Sequence, residues 1–339
     1  VLYKLQKVVK YSPKTKINKR FSNSTNINLV LEFYKKIGLD KDLEKILSGN
    51  HPMFKTIIDK KAPSQVGHKG TDPQIEFSVG DTGTIDGVIN LAHESVHAIN
   101  GYYNQMQILL SKQNEILKNF GKDSNEFKSA NNKLRYLIIS QKDFLIDCIT
   151  ETESSIIELL FLDFLIEKNT ISPNDKQLYI NMRNNSFRNN LKIMFQDDII
   201  YSKIRDIKKE KDCHLANINE EEYYELCNRL KSNSRYDDIM NAFYNIANRT
   251  KLNKQNLNSS FVFRYVVGEI ISTVWHDKYK TSNKNEKLQM IENLKTFIKN
   301  NNKLNLNNTI KFLFQTENYE SIIKSFVKIS TKKENNLTY

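Results

Sequence analysis

Cysteine, proline and glycine are all scarce, at three, five and ten residues in a chain of 339. Cys148, Cys213 and Cys227 are odd in number and none sits in a Cys-x-x-Cys pair. That argues against a disulfide framework and for a reducing compartment. So few helix breakers among long Leu-, Ile-, Lys- and Asn-rich stretches point to a mostly helical fold. No apolar run approaches the roughly eighteen residues of a membrane span. The most apolar stretch, 156–166, is interrupted by Glu158 and Asp163. No signal-peptide pattern is visible, and Val1 rather than a methionine opens the chain, which leaves room for residues upstream.

What the chain has in excess is positive charge: 51 Lys and Arg against 39 Asp and Glu, a net +12. Such a balance draws a protein towards nucleic acid, anionic membrane or an acidic protein surface without choosing among them. A solvated Lys-rich surface explains it equally well. Helix-turn-helix, RNP and zinc-finger spacings are all missing, so no nucleic-acid partner is expected. Hydrophobic residues make up 39% and charged residues 27%, enough for a sizeable core.

Residues 1–25 form a basic lead. Helical spacing of Leu29, Leu31, Phe33, Tyr34, Ile37, Leu43 and Ile46 predicts one or two helices over 28–48. A turn-rich segment follows, with His51-Pro52, Pro63, Gly67, Gly70 and Asp72-Pro73. The alternation of Gln74–Val79 marks the clearest strand. Thr84 or Asp86 can cap a helix that starts near Gly87 and runs past Tyr103. A second long helix is expected over 125–168, ending before Ser172-Pro173. Further helices are predicted at 175–195, 219–232, 236–250, 258–279, 284–300, 306–315 and 318–330. The proline-containing turn sets the expected boundary between a domain of 1–170 and a helical region of 171–339.

The helix from Gly87 contains Leu91-Ala92-His93-Glu94-Ser95-Val96-His97-Ala98, an H-E-x-x-H motif. Residues i and i+4 lie about 40° apart and one turn above each other, so both imidazoles reach one ion. Glu94, about 100° round from His93, stays off the metal but within reach of a proton on metal-bound water. Zinc lowers the pKa of that water towards ~7, and the glutamate takes the proton as hydroxide attacks a carbonyl. Chance placement would give the pattern about 0.007 times in this chain. The neighbours Leu91, Ala92, Val96, Ala98 and Ile99 indicate a largely buried helix rather than an exposed one with two surface histidines.

Zinc catalysis takes three protein ligands and leaves one position open. Asn100 and Tyr103 stand where a metzincin has glycine and a third histidine. That leaves a glutamate on a later helix, and segment 147–158 offers two. Glu153 falls within the stripe of Ile146, Ile149, Ile156, Ile157, Leu160 and Phe164, where a carboxylate needs a metal or a hydrogen bond. Glu151 shares the opposite face with Asp147, Ser154, Ser155 and Glu158, and the small serines permit a close approach to the motif helix.

The stretch Ile89–Tyr102, INLAHESVHAINGY, resembles the active-site helix of HExxH zinc metallopeptidases of the bacterial toxin and effector type. Clostridial neurotoxin light chains and type III effector peptidases carry similar helices. Ser95-Val96 departs from the two larger apolar residues usual there. The likeness covers the motif helix closely and 75–160 loosely, and nothing after 170 shares it. It implies a mainly α (α+β), zincin-like fold, with a small sheet and long helices, followed by an all-helical C-terminal region for substrate recognition or bracing. His93 and His97 would hold Zn2+, with Glu94 as general base. Glu151-x-x-Ser154 resembles the third-ligand signature of gluzincins, so Glu151 is preferred and Glu153 kept as the alternate. Such enzymes often stabilise the oxyanion with a downstream tyrosine or arginine, for which Tyr102, Tyr103, Arg264 and Tyr265 are candidates. Together with the Lys/Asn-rich composition, the resemblance implies an effector secreted by a bacterial secretion system into the host cytosol. Its partner would be a protein substrate, a host protein such as actin.

Other residues carry less. His276 follows Trp275 and His214 follows Cys213, neither with ligand spacing to a second pair. His68 is expected in an exposed loop, and Tyr223-Tyr224 and Phe261–Phe263 in the core. The Lys-rich segment 203–211 suits either a solvated face or a patch for an acidic substrate. The rival reading is a basic helical module that binds nucleic acid or protein without catalysis.

Overall fold

The computed structural model describes residues 21, 23–49, 54–58, 62–68, 75–103, 125, 150–208, 263–300, 306–315 and 319–335. These residues are mostly helical, with one small sheet. The predicted helices at 219–232 and 236–250 lie outside them, as do all three cysteines, His214, Tyr223-Tyr224 and Phe261-Val262.

Helices α1 (Asn23–Ile37) and α2 (Asp40–Leu47) fill the first predicted helical stretch. They part at Gly38, whose φ of 75° is open to glycine at little cost. The Leu39 amide donates back to the Tyr34 carbonyl at 2.9 Å, which stops the helix. Tyr34 is fully buried and its hydroxyl donates to the Ala92 carbonyl at 2.7 Å, anchoring α1 one residue before His93.

Three strands follow, β1 (Phe54–Ile58), β2 (Gln65–His68) and β3 (Ile75–Val79), in the order β1-β3-β2. β3 is the strand that the alternation predicts. β1 runs parallel to it and β2 antiparallel, with Val66 opposite Phe77. The segment read as turns alone therefore holds two strands, and His68 ends β2 instead of lying in a loop. At five and four residues, with Pro63 and Gly67 beside or inside them, these strands are too short for alternation to rise above the turn signals. Phe54, Phe77 and Val79 turn into the core.

Helix α3 (Ile85–Gly101) carries the motif. Thr84 caps it, its hydroxyl accepting the Gly87 amide at 3.0 Å. Gly87 is required there, because a Cβ would lie 1.9 Å from the Asp81 carbonyl oxygen. After α3 come α4 (Thr150–Glu167), α5 (Pro173–Lys208), α6 (Phe263–Thr281), α7 (Lys284–Asn300), α8 (Leu306–Phe314) and α9 (Tyr319–Asn335). α5 continues to Lys208, beyond the predicted stop at 195, because no proline or glycine interrupts it. Among the described residues no helix is long and apolar enough to cross a membrane.

α4 is the centre of the packing. Ile156, Ile157, Phe161, Leu162 and Leu165 are all fully buried, and so are Thr152, Glu153 and Ser154 on other sides of the same helix. A helix covered all round sits inside a core. α6 lies along it and contributes Val266, Val267, Ile270, Ile271 and Trp275. Each such side chain contributes about 1.5–3 kcal/mol by leaving water. Gly268 makes the approach possible, since a Cβ there would meet the Glu151 carbonyl oxygen at 2.7 Å. Helices from both sides of residue 170 therefore meet around the segment that contains Glu151.

Candidate metal centre

His93 and His97 lie one turn apart on α3, and Glu151 reaches them from the first turn of α4. The two Nε2 atoms are 3.1 Å apart. Glu151 Oε2 lies 3.4 Å from the Nε2 of His93 and 3.6 Å from that of His97. A tetrahedral zinc ion with bonds of 2.0–2.1 Å holds its ligand atoms about 3.3 Å apart. The observed triangle matches that edge length on all three sides. These three residues, two imidazoles and a buried carboxylate, can hold a metal ion.

The three groups set one another's protonation. Burial lowers the His93 pKa, but hydrogen bonds and charge from Glu151 and Glu158 outweigh it and lift the value to about 10. Burial raises the pKa of Glu151, and the two imidazoles overcome that and hold it well below the usual carboxylate range. A metal ion bound here would have to displace the His93 proton and would take over its pairing with the ionised carboxylate.

Sequence reasoning missed the residue that orients His93. Glu158 Oε1 accepts from His93 Nδ1 at 2.6 Å, which makes Nε2 the nitrogen that would face a metal once its proton is displaced. Glu158 was read only as sharing the Glu151 face. Its partner is Arg183 on α5, whose guanidinium pairs with Glu158 on one side and Glu269 of α6 on the other. The Arg183 side chain is only 8% exposed. Burial works against ionised Glu158, and the Arg183 charge and the His93 bond outweigh it, lowering its pKa. Nothing local in the sequence announces this chain of His93, Glu158, Arg183 and Glu269, because its members come from four separate helices.

Glu153, the alternate ligand, points elsewhere. Its Oε1 accepts from the Asn100 side-chain amide at 3.0 Å, and that amide also donates to the Ile298 carbonyl at 3.1 Å. One oxygen of the buried carboxylate is thus held by Asn100, which also ties α3 to α7, and neither contact involves the histidines.

Glu94 turns to the sheet. Its Oε2 accepts the Val66 amide of β2 at 2.9 Å. Burial raises its pKa, against lowering by His97, His93 and the Val66 bond. β2 is an edge of the described sheet, so Glu94 stands between the two histidines and a strand edge. Ser95, where the resemblance breaks, is fully buried and its hydroxyl donates to the Leu91 carbonyl at 2.7 Å. The small residue keeps the helix thin on its packed side.

Of the four oxyanion candidates, two come near. Arg264 Nε lies 3.4 Å from Glu151 Oε1, and its Nη2 donates to the Tyr265 hydroxyl at 3.1 Å. Burial raises the Tyr265 pKa, and the negative charges of Glu151 and Glu94 add to it. Tyr103 is drawn away, its hydroxyl donating to Asp42 at 2.7 Å beneath Lys299. Tyr102 packs edge-on against Tyr103. His276 is a buried structural histidine bonded to Asp163 at 2.7 Å. The chain matches no protein-family model, no curated protein and no solved structure.

Proposed function

We propose that the chain is a zinc-dependent endopeptidase with a zincin-like catalytic centre. The observation that carries this is the triangle of His93 Nε2, His97 Nε2 and Glu151 Oε2, with sides of 3.1, 3.4 and 3.6 Å. Two imidazoles, one carboxylate and a remaining open position are the ligand set of hydrolytic zinc sites. Zinc held there supplies a Lewis acid that polarises a carbonyl and acidifies water.

The protein's own groups do the rest. Glu94 is the proton acceptor. Burial has shifted its pKa upward, towards the range where a carboxylate both accepts and returns a proton. The Val66 amide holds its orientation. Tyr265, steadied by Arg264, is the donor for negative charge that develops on the substrate carbonyl oxygen. The outer edge of β2, where Glu94 holds the Val66 amide, suits an extended peptide laid alongside it on the remaining backbone groups, which brings a backbone carbonyl past Glu94. An extended segment of a protein is therefore the substrate class. The choice of a host protein such as actin, and delivery into the host cytosol by a bacterial secretion system, rest on the resemblance of the motif helix to effector peptidases.

The test is cleavage of purified actin and of an unfolded general protein substrate by zinc-loaded protein, beside Glu94→Gln and a chelated control. The proposal expects fragments only from the untreated wild type. Zinc binding with no cleavage of either substrate would move the weight to the second reading, a basic module that uses its +12 charge to bind.

A further inference from the structure

Next to the two histidines lies a cavity of about 410 Å³, and His93 and Tyr265 form part of its wall. It opens on the side of His93 that faces Glu158, between α3, α4, α5 and α6. Met182, Phe187 and the ring of Tyr179 give it apolar walls. Four charged residues line it: Asp86, Glu158, Glu269 and Arg183. The single guanidinium gives one amino group to Glu158 and the other to Glu269, while its buried Nε has no hydrogen-bond partner among the described residues. Glu158 is committed again to His93, and Glu269 accepts from the Thr273 hydroxyl at 3.3 Å.

Asp86 is the carboxylate left over. It projects from the first turn of α3, and its Oδ1 is buried with no hydrogen-bond partner among the described residues. Three carboxylates against the Arg183 guanidinium and the His93 ring still leave the described lining of this cavity negative, in a chain whose net charge is +12. A side chain with an apolar stem and a cationic head matches both features: the stem lies along the walls and the head meets the carboxylate.

We propose that this cavity is the specificity subsite of the peptidase, and that it takes an arginine or lysine side chain of the substrate through Asp86. The inference rests on the metal and peptidase reading above. An acidic side chain is disfavoured, since it would enter beside three carboxylates while both amino groups of the one guanidinium are already paired.

The test uses two dipeptide hydroxamates that chelate zinc and differ in one side chain, arginine in one and its neutral isostere citrulline in the other. Dissociation constants are measured on zinc-loaded wild type, Asp86→Asn and Asp86→Glu. The arginine compound should bind wild type about tenfold tighter, the gain of a charge-assisted over a neutral hydrogen bond. The preference should fall to within about twofold in Asp86→Asn and persist in Asp86→Glu. Equal binding of both compounds to wild type overturns the subsite assignment alone and leaves the metal reading standing. A preference that survives Asp86→Asn overturns the role of Asp86. If neither compound binds, the metal reading fails and the subsite fails with it.

Discussion

The Glu94 carboxylate accepts the amide hydrogen of Val66 at 2.9 Å, so the proposed base is fixed to the same strand edge that would receive the substrate. A group held in this way loses little freedom when a peptide arrives, and its proton-accepting oxygen is already oriented.

Glu94→Gln therefore separates chemistry from architecture. The glutamine oxygen still accepts from Val66, and none of the three candidate ligand atoms changes. Zinc content and thermal unfolding should match wild type, while turnover falls by at least about 100-fold. Undiminished cleavage by this variant would remove Glu94 from the mechanism.

The chain His93–Glu158–Arg183–Glu269 predicts a long-range effect on the metal. Glu158→Gln should weaken zinc affinity by about 10–100-fold, as loss of a ligand-orienting carboxylate does elsewhere. Arg183→Met leaves two carboxylates facing each other in a buried site, and should cost about 3–5 kcal/mol of stability. Competition with a calibrated chelator and urea unfolding read the two effects separately. Unchanged zinc affinity in Glu158→Gln would show that His93 needs no such partner.

Gly268→Ala is a test of packing at the ligand itself. A Cβ at this position meets the Glu151 carbonyl oxygen at 2.7 Å and the Glu151 Cβ at 3.1 Å. α6 or the start of α4 must shift, so the variant should lose zinc affinity as well as about 1–3 kcal/mol of stability. A variant that binds zinc as wild type does would show that the contact can relax without moving Glu151.

His276 sets a pH dependence away from the metal. Burial lowers its pKa below the ordinary 6.5, only partly offset by Asp163. The unfolded chain then binds the proton more readily than the folded one. The contribution of the neutral ring is complete above 6.5 and is lost as pH falls through that value to the lower folded one. Unfolding free energies measured at several pH values for wild type and His276→Gln should differ most above 6.5 and converge below it. A difference that grows on acidification would reverse the sign of this assignment.

Local order was legible where one element fixes the geometry. The H-E-x-x-H spacing, a helix cap at Thr84 or Asp86, of which Thr84 is the one used, and the strand ending at Val79 needed no information from elsewhere in the chain. The third ligand did not have this property. A helical wheel placed Glu153 in an apolar stripe, but α4 is covered on nearly all sides, so no stripe marks its inward face. What distinguishes the two glutamates is tertiary: Asn100 draws Glu153 aside through one oxygen, while Gly268 lets α6 close over Glu151 beside the histidines. Arg183 stayed invisible for the same reason. It lies in a helix that sequence alone assigned to bracing or recognition, and only packing brings it to Glu158. β1 and β2 were lost to their brevity, although β2 supplies the amide that holds Glu94.

The central claim is that one zinc ion sits on His93, His97 and Glu151. Elemental analysis of zinc-reconstituted wild type, Glu151→Ala and Glu153→Ala tests it most directly. The account predicts one zinc per chain in wild type and in Glu153→Ala, and loss of that zinc in Glu151→Ala. Absence of zinc from the wild type, or retention in Glu151→Ala with loss in Glu153→Ala, would contradict it.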